Sequence, residues 1–73
     1  MTAPRVTYDA VADAAYIYLT SEIPPGGVSN TIPVDAAAIG GTVNLDLDAR
    51  GVLVGIEVLG ASAKLDPSLL PEQ

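Results

Sequence analysis

The sequence contains no cysteine and no histidine. The first absence excludes a disulfide framework and a thiolate metal site. The second removes the commonest zinc ligand and the commonest general base, and with them a serine triad of the usual kind. Positive charge is scarce as well. Arg5, Arg50 and Lys64 stand far apart against nine acidic residues, for a net charge of −6. Phosphate backbones and anionic membranes require clustered cations, so neither nucleic acid nor membrane is an expected partner, whereas a basic protein or a cation would be attracted. No apolar run approaches the roughly 20 residues of a membrane span. The stretch Met1 to Arg5 lacks the basic segment followed by an apolar one that marks a signal peptide. A cytoplasmic location is the resulting expectation.

What is present is alternation. Seventy-three residues make one domain, 1–73, near the lower limit for folding unaided. Arg5 to Tyr8 and Ala14 to Leu19 alternate apolar and polar residues around the turn Asp9–Asp13, and setting Tyr8 opposite Ala15 and Val6 opposite Ile17 gives an antiparallel hairpin. After the break at Pro24-Pro25-Gly26-Gly27, residues 28–34 form a third strand, which Pro33 confines to an edge or a bulge. Residues 35–41 form a loose turn with about one turn of helix. The clearest unit runs from Thr42 to Leu59. Val43, Leu45 and Leu47 alternate with polar residues, Asp48-Ala49-Arg50-Gly51 fits a type I turn with glycine in the left-handed position, and Val52, Val54, Ile56 and Val58 alternate on the return. Pairing Leu47 with Val52, Leu45 with Val54 and Val43 with Ile56 makes every inward residue meet another, a match that a slip of one residue would destroy. At the C-terminus, Ala61 to Leu65 predicts a short helical turn, and Asp66-Pro67 predicts a capped one.

The expected fold is mostly β (α+β), a small antiparallel meander sheet of four to five strands near 4–8, 14–20, 28–34, 42–48 and 52–59, with a short C-terminal helix. Such a sheet is about 19–24 Å wide and one helix covers about 10 Å of it. Half of the apolar face is then left over, which predicts self-association, most simply as a homodimer. Val43, Leu45, Leu47, Val54, Ile56 and Val58 are the expected core or dimer face.

Tyr8-Asp9, three residues, then Asp13-Ala14-Ala15-Tyr16-Ile17 resembles the opening of the small bacterial and archaeal domain-of-unknown-function family 2283. The run from Val43 to Leu59 followed by Ala61-Ser62 is similar to it too, and the resemblance extends from Val6 to about Leu70. The segment from Asp13 to Thr42 is longer and richer in proline and glycine than in that family, and Gly60 replaces an acidic residue. The resemblance implies a small β-rich domain with no established activity and no catalytic residues to carry over. It also implies an antitoxin-like role for some members.

Four constellations invite a functional interpretation. Asp46, Asp48, Arg50, Gly51 and Glu57 nearly fit the calcium-loop spacing D-x-[DN]-x-[DN]-G-x5-E, but Arg50 occupies a ligand position and the flanks read as strands. In the register above, Asp46 faces Leu53 and Glu57 faces Thr42, about 13 Å apart along the strands, so no metal is expected there. Asp9 and Asp13 bracket the first turn, Asp9 as an Asx-turn and Asp13 as a cap on the returning chain. Tyr16, Tyr18, Asn44 and Glu57 share the second face of the sheet, a mixed aromatic and polar surface suited to binding; Leu53 and Leu59 are expected on the same side. Asp46 and Asp48 lie about 7 Å apart on a turn rim with little around them to raise a pKa. No catalytic residue and no cofactor is expected. The leading expectation is a non-catalytic protein-interaction module that self-associates through its sheet. The alternatives are an antitoxin-like or regulatory partner that masks a basic protein, and a small-molecule or cation site at the acidic hairpin.

Overall fold

The computed structural model describes residues 4–70. Five strands, β1 (Arg5–Asp9), β2 (Ala14–Tyr18), β3 (Asn30–Pro33), β4 (Thr42–Leu47) and β5 (Leu53–Leu59), form one sheet in the order β1-β2-β5-β4-β3. Every pairing is antiparallel. A hairpin (β1–β2) and a three-strand meander (β3–β4–β5) are joined where β2 pairs with β5, so the last strand is the central one. Pro33, which has no N–H to give a ladder, lies on the edge strand β3. Two one-turn helices, α1 (Ala36–Ile39) and α2 (Ala61–Lys64), and a 3₁₀ turn at Pro67–Leu69 complete the chain. Asp35 caps α1 and Asp66 caps the 3₁₀ turn, each accepting a backbone N–H two residues on. Among the described residues no helix is long and apolar enough to cross a membrane.

The first hairpin has the expected register, Tyr8 opposite Ala15 and Val6 opposite Ile17. The second departs from the expected one. Val43 pairs with Val58, Leu45 with Ile56 and Asp46 with Gly55, two residues further along β5 than the alternation alone suggested. Two local features cause the shift. The turn holds Ala49, Arg50 and Gly51 rather than two residues, because the Gly51 N–H reaches the Asp48 carbonyl at 2.9 Å and the Asp48 N–H reaches the Val52 carbonyl at 2.9 Å. Gly51 supplies φ 81° there, a conformation that costs glycine little. Leu47 then stands opposite Leu53, and an irregularity between Asp46 and Leu47 absorbs one more residue of β5. Val52 is thereby set against Asp48 and Leu53 against Leu47, so the two residues exchange the faces expected of them. Beyond the bulge the apolar residues again meet apolar residues.

The apolar face has two rows with different fates. Ala15, Val58 and Val43 adjoin across β2, β5 and β4 and are 2%, 3% and 8% exposed. Ala61 of α2 is fully buried against them, with Ile39, Leu65 and Leu70 packed around the cluster. The neighbouring row, Val6, Ile17, Ile56, Leu45 and Ile32, runs across all five strands. None of its members is fully buried, and Ile32 at the β3 edge is 44% exposed.

Candidate functional site

On the opposite face the ladder lines up Thr7, Tyr16, Glu57 and Asn44, and beside them Tyr18, Gly55, Asp46 and Thr31. The four residues expected to form a binding surface are therefore close together. Asn44 stands opposite Glu57, not the expected Thr42, and its Nδ2 donates to Glu57 Oε1 at 2.9 Å. Tyr16 lies beside Glu57 on β2 and extends over β5. Its hydroxyl donates to Asp46 Oδ2 at 2.6 Å, and Thr31 Oγ1 donates to Asp46 Oδ1 at 2.7 Å. Tyr18 meets the Tyr16 ring edge-on, with centroids 4.8 Å apart. The Arg5 guanidinium sits 4.0 Å above the Tyr18 ring. Arg5, Tyr18, Tyr16, Asp46 and Thr31 thus form a belt that reaches from one edge of the sheet to the other.

Gly55 makes the belt possible. It is buried between Tyr18 on β2 and Asp46 on β4, and a Cβ there would overlap the Tyr16 hydroxyl and ring carbons. A glycine inside an alternating strand marks such a close approach. Burial first, and the adjacent Asp46 carboxylate second, push the Tyr16 phenol well above its ordinary value. The phenol keeps its proton and acts as a donor, which is the wrong direction for a tyrosine base.

The sequence alone places Asp46 in the cation-loop spacing and beside Asp48 on the turn rim, with no sign of its bonds to Tyr16 and Thr31. The corrected register moves Asp46 opposite Gly55 and Glu57 opposite Asn44. The two carboxylates are then diagonal neighbours, and the distance that separated them in the expected pairing no longer applies. Both are engaged with protein donors, Asp46 on both oxygens. Asp48 is held by the turn itself. Its Oδ1 accepts from the Arg50 and Val52 N–H groups and its Oδ2 pairs with the Arg50 guanidinium at 2.9 Å. The Val52 N–H and then Arg50 hold its carboxyl below the usual range. Among the described residues no group of three or more acidic side chains converges.

A second cluster ties the two ends of the chain together. Asp9 forms the expected Asx-turn, accepting from the Val11 and Ala12 N–H groups. Asp13 does more than cap the returning strand. Held at φ 50°, it receives the Tyr8 hydroxyl on Oδ1 at 2.7 Å and, from the start of α2, the Ser62 N–H on Oδ1 and the Ser62 hydroxyl on Oδ2 at 2.8 Å. The Tyr8 hydroxyl and then Ser62 lower the Asp13 pKa, and Tyr8 is raised in turn. This bond set fixes α2 over the buried row. Its signal in the sequence is Tyr8, Asp13 and Ser62 lying at the two ends of one recognisable pattern.

Between Thr7, Asp9, Ala14, Tyr16 and Glu57 lies a hollow of about 290 Å³ on the polar face. The model of the family described as "Protein of unknown function (DUF2283)" matches residues 5–62, from Arg5 of β1 to Ser62. Residues 63–70, included in the resemblance drawn from the sequence, fall outside that match. No curated protein and no solved structure gave a match.

Proposed function

The chain belongs to the DUF2283 family, whose description assigns no activity, and from its own geometry we propose that it is a non-catalytic protein-interaction module that self-associates through the apolar face of its sheet. The observation that carries this reading is the row Val6–Ile17–Ile56–Leu45–Ile32. It spans all five strands and contains no ionisable side chain, and no member is fully buried. Val6, Ile17 and Ile56 pack in part against the buried cluster, and Ile32 at the β3 edge is exposed. A continuous apolar row left half-buried, with its edge member exposed, is costly in water and suits an interaction site. Of the remaining members of the expected face, Leu47 is half-buried and Val54 is buried at 6% exposure, so Val54 belongs to the core and not to the surface. The opposite face has its hydroxyls and carboxylates largely satisfied by one another, which suits a stable outer surface. A cytoplasmic location belongs to the same proposal. Sedimentation equilibrium across a range of concentrations tests it. Reversible association that Ile56→Asp removes supports the reading, and an unassociated chain at every concentration refutes it.

A basic protein partner is the second reading, in the antitoxin-like or regulatory sense. The hollow beside Asp9 and Glu57 favours it, since it offers carboxylates and an aromatic ring to a lysine or arginine side chain under a net charge of −6. Capture of a basic protein that is lost with added salt and with Glu57→Gln supports this reading, and capture unaffected by either change refutes it.

A further inference from the structure

We propose that two copies of the chain also meet edge to edge, β1 against β1, so that the sheet continues from one copy into the next. The inference goes beyond the face association proposed above. It rests on a different observation, the unfilled hydrogen-bonding edge of β1.

The ladder shows which peptide groups are left over. The Leu19 N–H donates to the Val54 carbonyl at 3.0 Å, so the pairs at alternate positions, Ile17–Ile56 and Ala15–Val58, exchange their bonds across β2 and β5. Ala14, Tyr16 and Tyr18 then turn theirs toward Asp9, Thr7 and Arg5. Val6 and Tyr8 are left with both N–H and C=O pointing away from the sheet. Among the described residues no backbone group outside the sheet bonds to either of them. The other edge is closed by its own sequence. The Val34 N–H donates to the Val43 carbonyl at 2.8 Å, so Ile32 and Asn30 bond to β4 while Thr31 and Pro33 face out. Pro33 has no N–H to offer. β1 is therefore the open edge, and an open edge is a template for a further strand.

The residues of that edge select a second copy as the strand it takes. Arg5-Val6-Thr7-Tyr8-Asp9 carries opposite charges at its two ends and Thr7 at its centre. Laid antiparallel on itself about a two-fold axis at Thr7, it sets Arg5 of each copy opposite Asp9 of the other. The same register pairs Val6 with Tyr8 in both directions, so every outward N–H meets an outward carbonyl. A slip of two residues brings Pro4 against Tyr8 in one direction and Ala10 against Val6 in the other, and it loses the charge pairing in both. Among the described residues the one ion pair is Arg50 with Asp48, so Arg5 and Asp9 have none within the chain. The Arg5 guanidinium rests over the Tyr18 ring, and Asp9 spends Oδ1 on the turn N–H groups, which leaves Oδ2 for Arg5 of the second copy. These cross pairs place attraction at the edge where chains of net charge −6 would otherwise repel. The contact is small. Five residues span about 17 Å and bury far less than the roughly 800 Å² per partner of a standard interface. Acting alone it is transient, and a covalent trap records it where sedimentation does not.

The natural chain has no cysteine, so one introduced thiol reports the pairing. Thr7 is exposed and meets its own counterpart at a non-hydrogen-bonded position, with Cα atoms about 4.5 Å apart. A disulfide bridges separations of about 4.4–6.8 Å. Thr7→Cys and Val11→Cys are each made together with Ile32→Lys, which charges the apolar row so that face association plays no part. Val11, 99% exposed on the turn, measures chance collision. Air oxidation is followed on non-reducing gels at roughly 0.1–1 mM chain. Thr7→Cys is expected to dimerise about tenfold faster than Val11→Cys. Equal rates overturn the edge pairing and leave the face reading, which sedimentation of the natural chain tests, untouched. Adding Arg5→Asp to one sample of Thr7→Cys and Asp9→Arg to another sets like charges opposite each other and is expected to slow each about tenfold. Mixing the two samples sets opposite charges together again and is expected to restore the rate. A rate indifferent to these charges, or not restored by mixing, overturns the register.

Discussion

Replacing Gly55 with alanine tests whether the polar belt is held as one rigid unit. The added methyl would occupy the space of the Tyr16 hydroxyl and ring edge, so the ring must swing away. Doing so breaks the 2.6 Å bond to Asp46; a hydrogen bond to a charged acceptor is worth about 1.5–3 kcal/mol. It also loosens the edge contact with Tyr18, worth about 0.5–1.5 kcal/mol. Alanine in place of a strand glycine returns about 0.5–1 kcal/mol through the unfolded chain. The balance is a loss of about 1–4 kcal/mol, and each kcal/mol lowers Tm by about 4–8 °C in a domain of this size. The decisive comparison is Gly55→Ala made in a Tyr16→Ala background. With the ring gone only the backbone contribution remains, so the same substitution there stabilises by about 0.5–1 kcal/mol. Urea unfolding of the four proteins in this cycle measures the reversal of sign. A Gly55→Ala chain as stable as the parent, or a penalty that survives removal of Tyr16, would refute the reasoning.

Ile32→Lys puts a charge into the exposed row at an edge position and is expected to abolish self-association while shifting Tm by less than about 0.5 kcal/mol in equivalent stability; light scattering and thermal melting read the two effects separately. Asp13→Ala removes the acceptor shared by Tyr8 and Ser62 and is expected to lower Tm and to speed amide exchange in residues 61–65; unchanged exchange there would show that α2 does not depend on the bond set. Asp13, Asp48 and Asp66 all have lowered pKa values. Their folded-state advantage is present above the ordinary carboxylate value, near 3.9, and is lost as pH falls through the lower folded values, so Tm drops on acidification below about pH 4. Tyr8 and Tyr16 are raised. Their contribution is full below about pH 10 and disappears as pH rises beyond it, so Tm also falls in alkali, and Tyr16→Phe flattens that limb of the profile.

The strands were legible because their period of two is local information. Val6 against Ile17 and Tyr8 against Ala15 follow from the alternation of β1 and β2 around one turn. The Thr42–Leu59 hairpin shows where local information ends. Its turn residues and its buried set are in the sequence, but the bulge at Leu53–Val54 is a compromise between turn closure and face matching that no single residue announces. The belt was half visible. Tyr16, Tyr18, Asn44 and Glu57 share a face by alternation, whereas the Tyr16–Asp46 bond joins residues thirty positions apart through a pairing of β2 with β5 that alternation cannot specify. Gly55 was the available clue, since a strand glycine invites the question of what lies over it. The bond from Ser62 to Asp13 spans still more chain and depends on α2 folding back beside the first turn.

The three-residue turn at Ala49–Gly51 and the bulge at Leu53–Val54 place the length irregularities of the hairpin outside its paired positions. Deleting Ala49 leaves Asp48 facing Val52 across a two-residue turn, and deleting Val54 leaves Leu53 and Gly55 alternating against Leu47 and Asp46, so in both cases Ile56 and Val58 keep their side, whereas a deletion at Glu57 turns the rest of β5 over. A library of single deletions along residues 48–58 would therefore separate into folded and unfolded chains by where the deletion falls.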